Sequence, residues 1–188
     1  MANGTLKVSN IETSSGSGTI TIGQSGETVN IPSGCTIANS GTATGFGGGK
    51  VLQVVTATDS TQRDVTSTSY VTGSNTLSVN ITPSSTSSKI LVMYNTAVYK
   101  NGNNQVGNTT LYRDSTNLGD STNGLSYFYI GSDDVGQQVS ASLLDSPSST
   151  SQITYQVYVR TSAGTFSINY QSCVASITAM EIAGWVVF

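Results

Sequence analysis

The stretch TLSVNITPSSTSSKILVMYNTAVY, residues 76–99, decides the fold class of this chain. In its first part Leu77, Val79 and Ile81 alternate with polar residues, which is the period of a half-buried strand. In its second part, residues 90–99, apolar side chains fall on both faces of the predicted strand. Such a strand needs cover on both faces, and we expect a facing sheet on one and a neighbouring subunit on the other. The stretch therefore predicts an all-β protein that assembles with other copies.

The composition limits the function classes. The 188 residues include seven basic and ten acidic side chains, no histidine, and a formal net charge of −3. Apolar residues make up 36% and fall into strand-like runs, which favours an ordered β-protein over a disordered chain. The lack of a Lys/Arg cluster excludes nucleic acid as a partner. Without a signal peptide or an apolar run of about 20 residues, we expect no membrane insertion and synthesis in a host cytoplasm.

The first 45 residues predict a separate module. Short β-like pieces at 19–22, 28–31 and 35–38 are separated by Gly-rich turns, and each carries only one or two large apolar side chains. Pieces this short cannot offset their own ordering entropy, so they must stack in a solenoid or wind around copies from other chains. Three rungs are few for a solitary solenoid, which favours an intertwined homotrimer. Residues 1–45 are therefore predicted to be an attachment or shaft module.

Residues 46–49, FGGG, predict a Gly-rich linker. A phosphate-binding loop is excluded here, because Lys50 is followed by Val51 rather than by Ser or Thr. Residues 50–188 predict an antiparallel, jelly-roll-like β-sandwich that forms a knob, because many short strands are separated by Ser/Gly/Asn turns. The predicted strands are 50–58, 67–72, 75–82, 89–99, 107–113, 125–130, 137–145, 151–160, 165–171 and 174–186, with exposed polar loops at 101–108 and 114–124.

The sequence predicts no enzyme, no cofactor and no metal centre. Without histidine the usual Ser-His and Cys-His catalytic arrangements cannot form. Cys35 and Cys173 lack ligand-like spacing and are predicted to be free, partly buried thiols. Asp133 and Asp134 stand side by side in GSDDVG, where they form a solvated turn or, less favoured, contribute to a divalent-cation site. A polysaccharide depolymerase would need a carboxylate pair across the scissile bond, and the sparse acids do not predict one.

Glu181 is the one acid in an apolar, strand-like run. On a strand it shares a face with Ile177 and Ala179, and a buried carboxylate costs several kcal/mol unless it is paired. We therefore expect Lys89, Arg160 or a backbone N–H to approach this carboxylate. The predicted role is structural rather than catalytic, because the sequence places no second acid beside it.

Aromatic side chains are the usual platform of a carbohydrate site. Most of the nine tyrosines are expected to pack in the core. The run Tyr-Phe-Tyr at 127–129 puts aromatic rings on alternate faces of a strand, so one of these faces can point outward. The candidate ligand-facing residues are Tyr112, Tyr127 and Tyr129, and the expected ligand is a host-surface glycan.

Several segments carry a resemblance to a known family. The segment TITIGQSGETVNIPSGCTIANSGTATGFGGG, residues 19–49, resembles an N-terminal module of fibre and structural proteins from marine tailed bacteriophages, including cyanophages. Further segments resemble, in the same order, the β-domain that often follows this module, and together they extend the match over nearly the whole chain: KVLQVV (50–55), LSVNITPSSTSSKILV (77–92), LYRDSTNLGD (111–120), LLDSPSSTSQITYQVYVRT (143–161) and SITAMEIAG (176–184).

The resemblance implies a non-enzymatic virion structural protein, usually homotrimeric, with a β-rich foot and a globular knob. Residues 1–45 are then expected to contact other virion proteins. The leading hypothesis is a trimeric bacteriophage tail-fibre or receptor-binding component. The chain lacks the long shaft that many fibres carry, and this departure favours the alternative, a capsid decoration or cement protein that stabilises the head.

Overall fold

The computed structural model describes residues 11, 13, 18–23, 25–35, 50–102, 104–131 and 134–184. The chain divides into two units, Met1–Thr44 and Gly45–Phe188, which are described separately. In the described part of the second unit, the regular structure is β apart from a short 3₁₀ turn at Tyr170–Ser172. The strands are β1 Val51–Asp59, β2 Arg63–Val65, β3 Val71–Thr72, β4 Ser78–Ile81, β5 Lys89–Lys100, β6 Gln105–Arg113, β7 Thr116–Asn117, β8 Ser126–Ile130, β9 Val135–Asp145, β10 Ile153–Thr161, β11 Phe166–Ile168 and β12 Ala175–Ile182.

The first sheet is built around β5, which is antiparallel to its neighbours on both edges. β9 pairs with β5 along one edge. The pairing extends from Lys100 of β5 opposite Val135 of β9 to Ile90 opposite Asp145. Along the other edge lie β12 and β11, which pair in turn with β1 and β2. Because β1 and β2 share one strand position and β11 and β12 share another, the sheet has four positions in the order β1/β2, β11/β12, β5, β9.

The second sheet is built around β10 and β6, which pair from Tyr155 opposite Arg113 to Thr161 opposite Gly107. The other edge of β10 holds β4 and β3, and the other edge of β6 holds β8 and β7. This sheet therefore also has four positions, in the order β3/β4, β10, β6, β7/β8.

The strand order identifies the sandwich as a jelly roll. The eight strand positions of the two sheets can be numbered in the order in which the chain reaches them. The first sheet then has the order 1-8-3-6 and the second has the order 2-7-4-5. This is the order of two nested Greek keys, in which consecutive positions alternate between the facing sheets except for positions 4 and 5, which are neighbours in the second sheet. The predicted all-β fold with an antiparallel jelly-roll-like sandwich is confirmed.

The core lies between the two sheets, where alternate side chains of each strand are buried. On β10 the inward residues Ile153, Tyr155, Val157 and Val159 are at most 3% exposed. The strand β5 buries its inward face in the same way, while its outward residues stay half-buried. The alternation predicted from the sequence therefore sets which side chains enter the core.

Polar groups on the inner faces join the two sheets. The hydroxyls of Tyr94 on β5 and Thr109 on β6 lie 2.6 Å apart. Tyr155 of the second sheet donates a 2.6 Å hydrogen bond to Asp145 of the first, and Arg113 approaches both oxygens of that carboxylate at 2.9 Å. Every polar group in these hydrogen bonds between the sheets has a partner, as burial requires.

The described residues of the first unit form no strand within the single chain. Their large apolar side chains are instead exposed: Ile20 by 43%, Ile22 by 67%, Val29 by 56% and Ile31 by 46%. The pieces 19–22 and 28–31 were predicted to pair between chains, and a single copy leaves them uncovered. The third piece, 35–38, lies mostly outside the described residues, as does the linker 46–49. The boundaries 1–45 and 50–188 stay predictions.

Some details of the second unit differ from the predictions. The predicted loop 101–108 is too long, because residues 105–108 pair with β8 and β10 as the start of β6. The predicted strand 67–72 is regular only at Val71–Thr72. The strands β2 and β7 were not predicted, because two or three residues show no alternation. Within the described ranges, no helix is long and apolar enough to cross a bilayer.

Candidate functional site

The outer face of the second sheet carries a cluster of aromatic side chains. Because alternate residues of a strand point to opposite faces, the outward positions of β6, β8 and β10 share this surface. We call it the tyrosine face, and it consists of Tyr70, Tyr112, Tyr127, Tyr129, Tyr158 and Arg160. Five of the nine tyrosines of the chain therefore lie on one side of one sheet.

The centre of the tyrosine face is a row of packed rings. Tyr112 and Tyr158 stack with centroids 3.9 Å apart, and Tyr70 tilts against Tyr112 at 6.4 Å. The Arg160 guanidinium carbon lies 5.7 Å from the Tyr70 ring centroid, within the range of a cation–π contact. Burial raises the pKa of Tyr70 to about 12, although the nearby Arg160 charge acts in the opposite direction. The Tyr70 hydroxyl therefore stays protonated at neutral pH.

The segment that follows β7 covers part of this face. Asn108 donates through Nδ2 to the carbonyl of Asn123 at 3.1 Å. Tyr70 donates to the carbonyl of Thr122 at 3.3 Å. Asp120 closes the turn by accepting from the backbone N–H groups of Thr122 and Asn123 at 2.9 and 2.6 Å. The covering segment is thus held by its own turn, by Asn108 of β6 and by Tyr70, which precedes β3.

The three predicted ligand-facing tyrosines all lie on this face, but they are not equally exposed. Tyr127 and Tyr129 are 56% and 51% exposed on β8, and the Tyr129 hydroxyl donates to Asn104 at 2.7 Å. Tyr112 is half-buried within the ring stack on β6, inside the predicted strand 107–113. Sequence reasoning missed Tyr158 and Arg160, although the polar face of the β10 alternation contains both.

The outer face of the first sheet is different, because one row across all four strand positions is apolar. The register places Val54 beside Met180, Met180 beside Leu91, and Leu91 beside Leu144. Val54 and Leu144 are 54% and 56% exposed. We call these four residues the apolar row. They include Leu91, one of the outward residues of β5 for which the sequence predicted cover by a neighbouring subunit.

Beside the apolar row the same sheet face becomes polar and forms an open depression. Its outward lining contains no titratable group, so it offers hydrogen bonds but no acid, base or nucleophile of ordinary strength. The outward lining residues are Met93, Asn95, Ser140, Ser142, Ser176 and Thr178, and the lining also includes Tyr94 and Ala141, whose side chains pack at the core.

Glu181 is fully buried on the inward side of β12 and is held by neutral donors. Its Oε1 accepts from the backbone N–H and the hydroxyl of Ser84, at 2.7 and 2.6 Å. Its Oε2 accepts from Gln53 Nε2 at 2.6 Å. The expected approach of a backbone donor is found, whereas Lys89 bonds to Ser146 and Arg160 lies on the tyrosine face. Burial works to raise the pKa of Glu181, but these hydrogen bonds outweigh it and lower the pKa from 4.5 to about 2.

Asp59 is a second carboxylate with strong local partners. It accepts from Arg63 at 2.6 Å and from the backbone N–H of Thr61 at 2.9 Å, and it contacts the hydroxyl of Ser74. Burial opposes the charged form, but the hydrogen bonds of Ser74 and Thr61 outweigh it, so the pKa of Asp59 lies well below its usual value. Both acids are therefore stabilised as anions by folding.

These two lowered pKa values predict that the sandwich loses stability in acid. A carboxylate with a lower pKa in the folded state contributes its full stabilisation above the unfolded pKa and loses it as pH falls through the folded pKa. For Glu181 this interval runs from 4.5 down to about 2, and the contribution lost is about 3 kcal/mol. We expect urea-unfolding midpoints to fall steadily across this interval, and the Glu181→Gln variant to show a shallower pH dependence. Equal slopes for the two proteins would contradict the assignment.

Asp134 is described, whereas its predicted companion in a cation site, Asp133, lies outside the described residues. Asp134 accepts from the Tyr99 hydroxyl at 2.6 Å and from the backbone N–H of Gly102 at 3.2 Å. The Tyr99 hydrogen bond is the main reason that the pKa of Asp134 is lowered. This carboxylate thus connects the start of β9 to the turn after β5. In the described ranges no three acid or cysteine side chains are grouped as metal ligands.

Both cysteines are free and exposed. The prediction of free thiols is confirmed, but the prediction that they are partly buried is wrong. Cys173 follows the 3₁₀ turn and faces solvent because the chain there runs between β11 and β12 rather than within either strand.

Comparisons with known proteins identify no family. No protein-family model matches the chain, and none of the curated proteins matches it. Among solved structures, it is similar to VP2 of infectious bursal disease virus. The VP2 subviral particle is 15% identical, with a TM-score of 0.37 and coverage of 70% of this chain and 38% of that chain. The structure of the Gt strain of the virus is 13% identical, with a TM-score of 0.35 and coverage of 71% and 42%. The chain thus spans well under half the length of these neighbours.

Proposed function

We propose that this chain is a non-enzymatic structural component of a virus particle and that it works as a homotrimer of the tail-fibre or receptor-binding type. The observation that carries the proposal is the contrast between the two units. The jelly roll of the second unit buries a complete core. The described residues of the first unit form no strand and expose Ile20, Ile22, Val29 and Ile31. Such a unit gains order from contacts with other copies of itself.

The phage-fibre resemblance of residues 19–49 supports the threefold form of this assembly, because that module is usually trimeric. The apolar row supports contact between the knobs as well. Its Val54 lies close in sequence to the linker 46–49. Self-association of the first unit would therefore keep the apolar rows of the different copies close together. This raises the effective concentration at which the rows meet. Because Val54 and Leu144 are each about half exposed, covering them would contribute roughly 0.8–1.5 kcal/mol for each side chain.

We expect native mass spectrometry of the full chain to give three copies. The double variant Ile22→Ser/Val29→Ser should give single chains with an unchanged melting transition of the sandwich, because each substitution removes roughly 1.5–3 kcal/mol of burial per chain. Val174→Ser is the matched control, since Val174 is 65% exposed but lies in the second unit, between β11 and β12. It should remain trimeric. A wild-type single chain whose first unit resists proteolysis would overturn the proposal.

The position on the particle separates the tail-fibre form from capsid decoration. A decoration protein covers a lattice and is present in hundreds of copies, whereas a fibre is present in a few dozen or fewer. Quantitative mass spectrometry of purified particles measures this number directly. Deletion of residues 1–45 should prevent incorporation in either case, because this unit is proposed to contact the other virion proteins.

A further inference from the structure

Arg160 forms no ion pair in the described part of the chain. The two described ion pairs use Arg63 with Asp59 and Arg113 with Asp145, and Arg160 has no hydrogen-bond partner in the same ranges. Its Nε is buried and unpaired, whereas the residue as a whole is only half-buried. The guanidinium carbon lies over the Tyr70 ring, 5.7 Å from its centroid, and the residue keeps part of its surface open to solvent. Such a planar cation is suited to bind a carboxylate or sulfate through two parallel hydrogen bonds.

A second unpaired group lies beside it. Asn108 is directly opposite Arg160 in the β6–β10 register, and this side chain is only 1% exposed. Its Nδ2 is bonded to Asn123, but its Oδ1 is buried without a partner. A buried acceptor and the buried Nε donor of Arg160 therefore belong to directly opposed residues. Leaving both groups unpaired costs about 1–3 kcal/mol per group, so this row of the sheet contains polar groups that the described chain does not satisfy.

The same register row continues to an exposed ring. Tyr127 on β8 is opposite Asn108 on β6, so Tyr127, Asn108 and Arg160 lie in one line across three strands. Two strand spacings separate Tyr127 from Arg160, which is about 10 Å. The ring of Tyr127 is 56% exposed and offers an apolar surface with a hydroxyl at its edge. An extended ligand of two or more sugar units can contact both ends of this line.

We propose that the tyrosine face binds an anionic oligosaccharide, with its carboxylate or sulfate on Arg160 and a sugar ring over Tyr127. This deepens the receptor-binding form of the proposed function and rests on it. Nucleic acid is disfavoured, because the chain has a net charge of −3 and the face carries a single cation. A sugar ring fits the exposed rings of Tyr127 and Tyr129, and the anion fits a guanidinium that forms no ion pair with the described acids.

The test is isothermal titration of the full-length protein with three oligosaccharides of equal length: an oligogalacturonate, a sulfated galactan fragment and a neutral galactan fragment. We expect one or both anionic ligands to bind at least about tenfold more tightly than the neutral one. Their relative affinities distinguish carboxylate from sulfate. Arg160→Gln should weaken anionic binding about tenfold or more, and Tyr127→Ala should weaken all binding without a change in melting temperature.

Leu144→Ser is the matched control, because it replaces an equally exposed side chain on the outer face of the other sheet. It should bind as the wild type does. Absence of binding to both anionic ligands, or binding that is insensitive to Arg160→Gln and Tyr127→Ala, would overturn the proposal. Native mass spectrometry of the same samples separates the two proposals. A trimer without binding contradicts only the ligand site, whereas a single chain that binds contradicts only the trimer.

Discussion

The Glu181→Gln variant is expected to lose about 2–4 kcal/mol of unfolding free energy. The carboxylate accepts three hydrogen bonds, two from Ser84 and one from Gln53. A glutamine keeps one acceptor oxygen for Ser84 but turns an NH₂ group towards the NH₂ of Gln53. To avoid this clash Gln53 would have to rotate its amide, and its 2.7 Å hydrogen bond to the carbonyl of Thr82 would then be lost. Denaturant unfolding at neutral pH measures the difference.

Two controls make the Glu181 result specific. Ser84→Ala removes one donor but leaves the backbone N–H in place, so we expect a smaller loss of about 1 kcal/mol. Asp64→Asn changes an exposed carboxylate whose described hydrogen bond, from Gln62, is 3.4 Å long. It should change the unfolding free energy by less than about 0.5 kcal/mol. Oligosaccharide binding should be the same in all three variants. A Glu181→Gln protein that loses binding but keeps its stability would show that Glu181 has a functional rather than a structural role.

Glu181 also shows which part of a buried site the sequence can predict and which part it cannot. The apolar run around Glu181 made its burial predictable, and the cost of an unpaired carboxylate made a donor necessary. The identity of the donor was not predictable, because Ser84 lies 97 residues away in the chain and meets Glu181 only when the loop after β4 folds against β12. Lys89 and Arg160 were plausible by charge. The structure satisfies the carboxylate with neutral groups and leaves Arg160 for the opposite sheet.

The fold itself was more accessible to sequence, because a jelly roll buries one face of most strands. Alternation of Ile153, Tyr155, Val157 and Val159 with polar residues predicts both the strand and its inward face, and all four are buried. The candidate site was only partly accessible. The period places Tyr158 and Arg160 on the outward face of β10, but it does not reveal that β6 and β8 bring Tyr112 and Tyr127 beside them. That arrangement depends on strand order, which follows from contacts distant in sequence.

Gly107→Ala is expected to lower the unfolding free energy by about 2–3 kcal/mol, although alanine usually stabilises a strand relative to glycine. Gly107 faces inward on β6, and a Cβ there would overlap two carbons of the Phe166 ring and lie 2.8 Å from a third. Phe166 is fully buried on β11 of the other sheet and also packs against Phe128, with centroids 6.3 Å apart. The ring has no free space to move into, because the core is closely packed.

The matched control is Gly136→Ala, another strand glycine, where the nearest heavy atoms to an added Cβ are 3.6 Å away. It should be neutral or slightly stabilising, because only backbone entropy changes. Phe166→Leu alone should also destabilise by leaving a cavity. If space is the cause, the Gly107→Ala/Phe166→Leu double variant should lose at least about 1 kcal/mol less than the sum of the two single losses. Strict additivity would mean that the glycine is needed for a backbone reason and that the contact between the two sheets at this point is looser than the structure indicates.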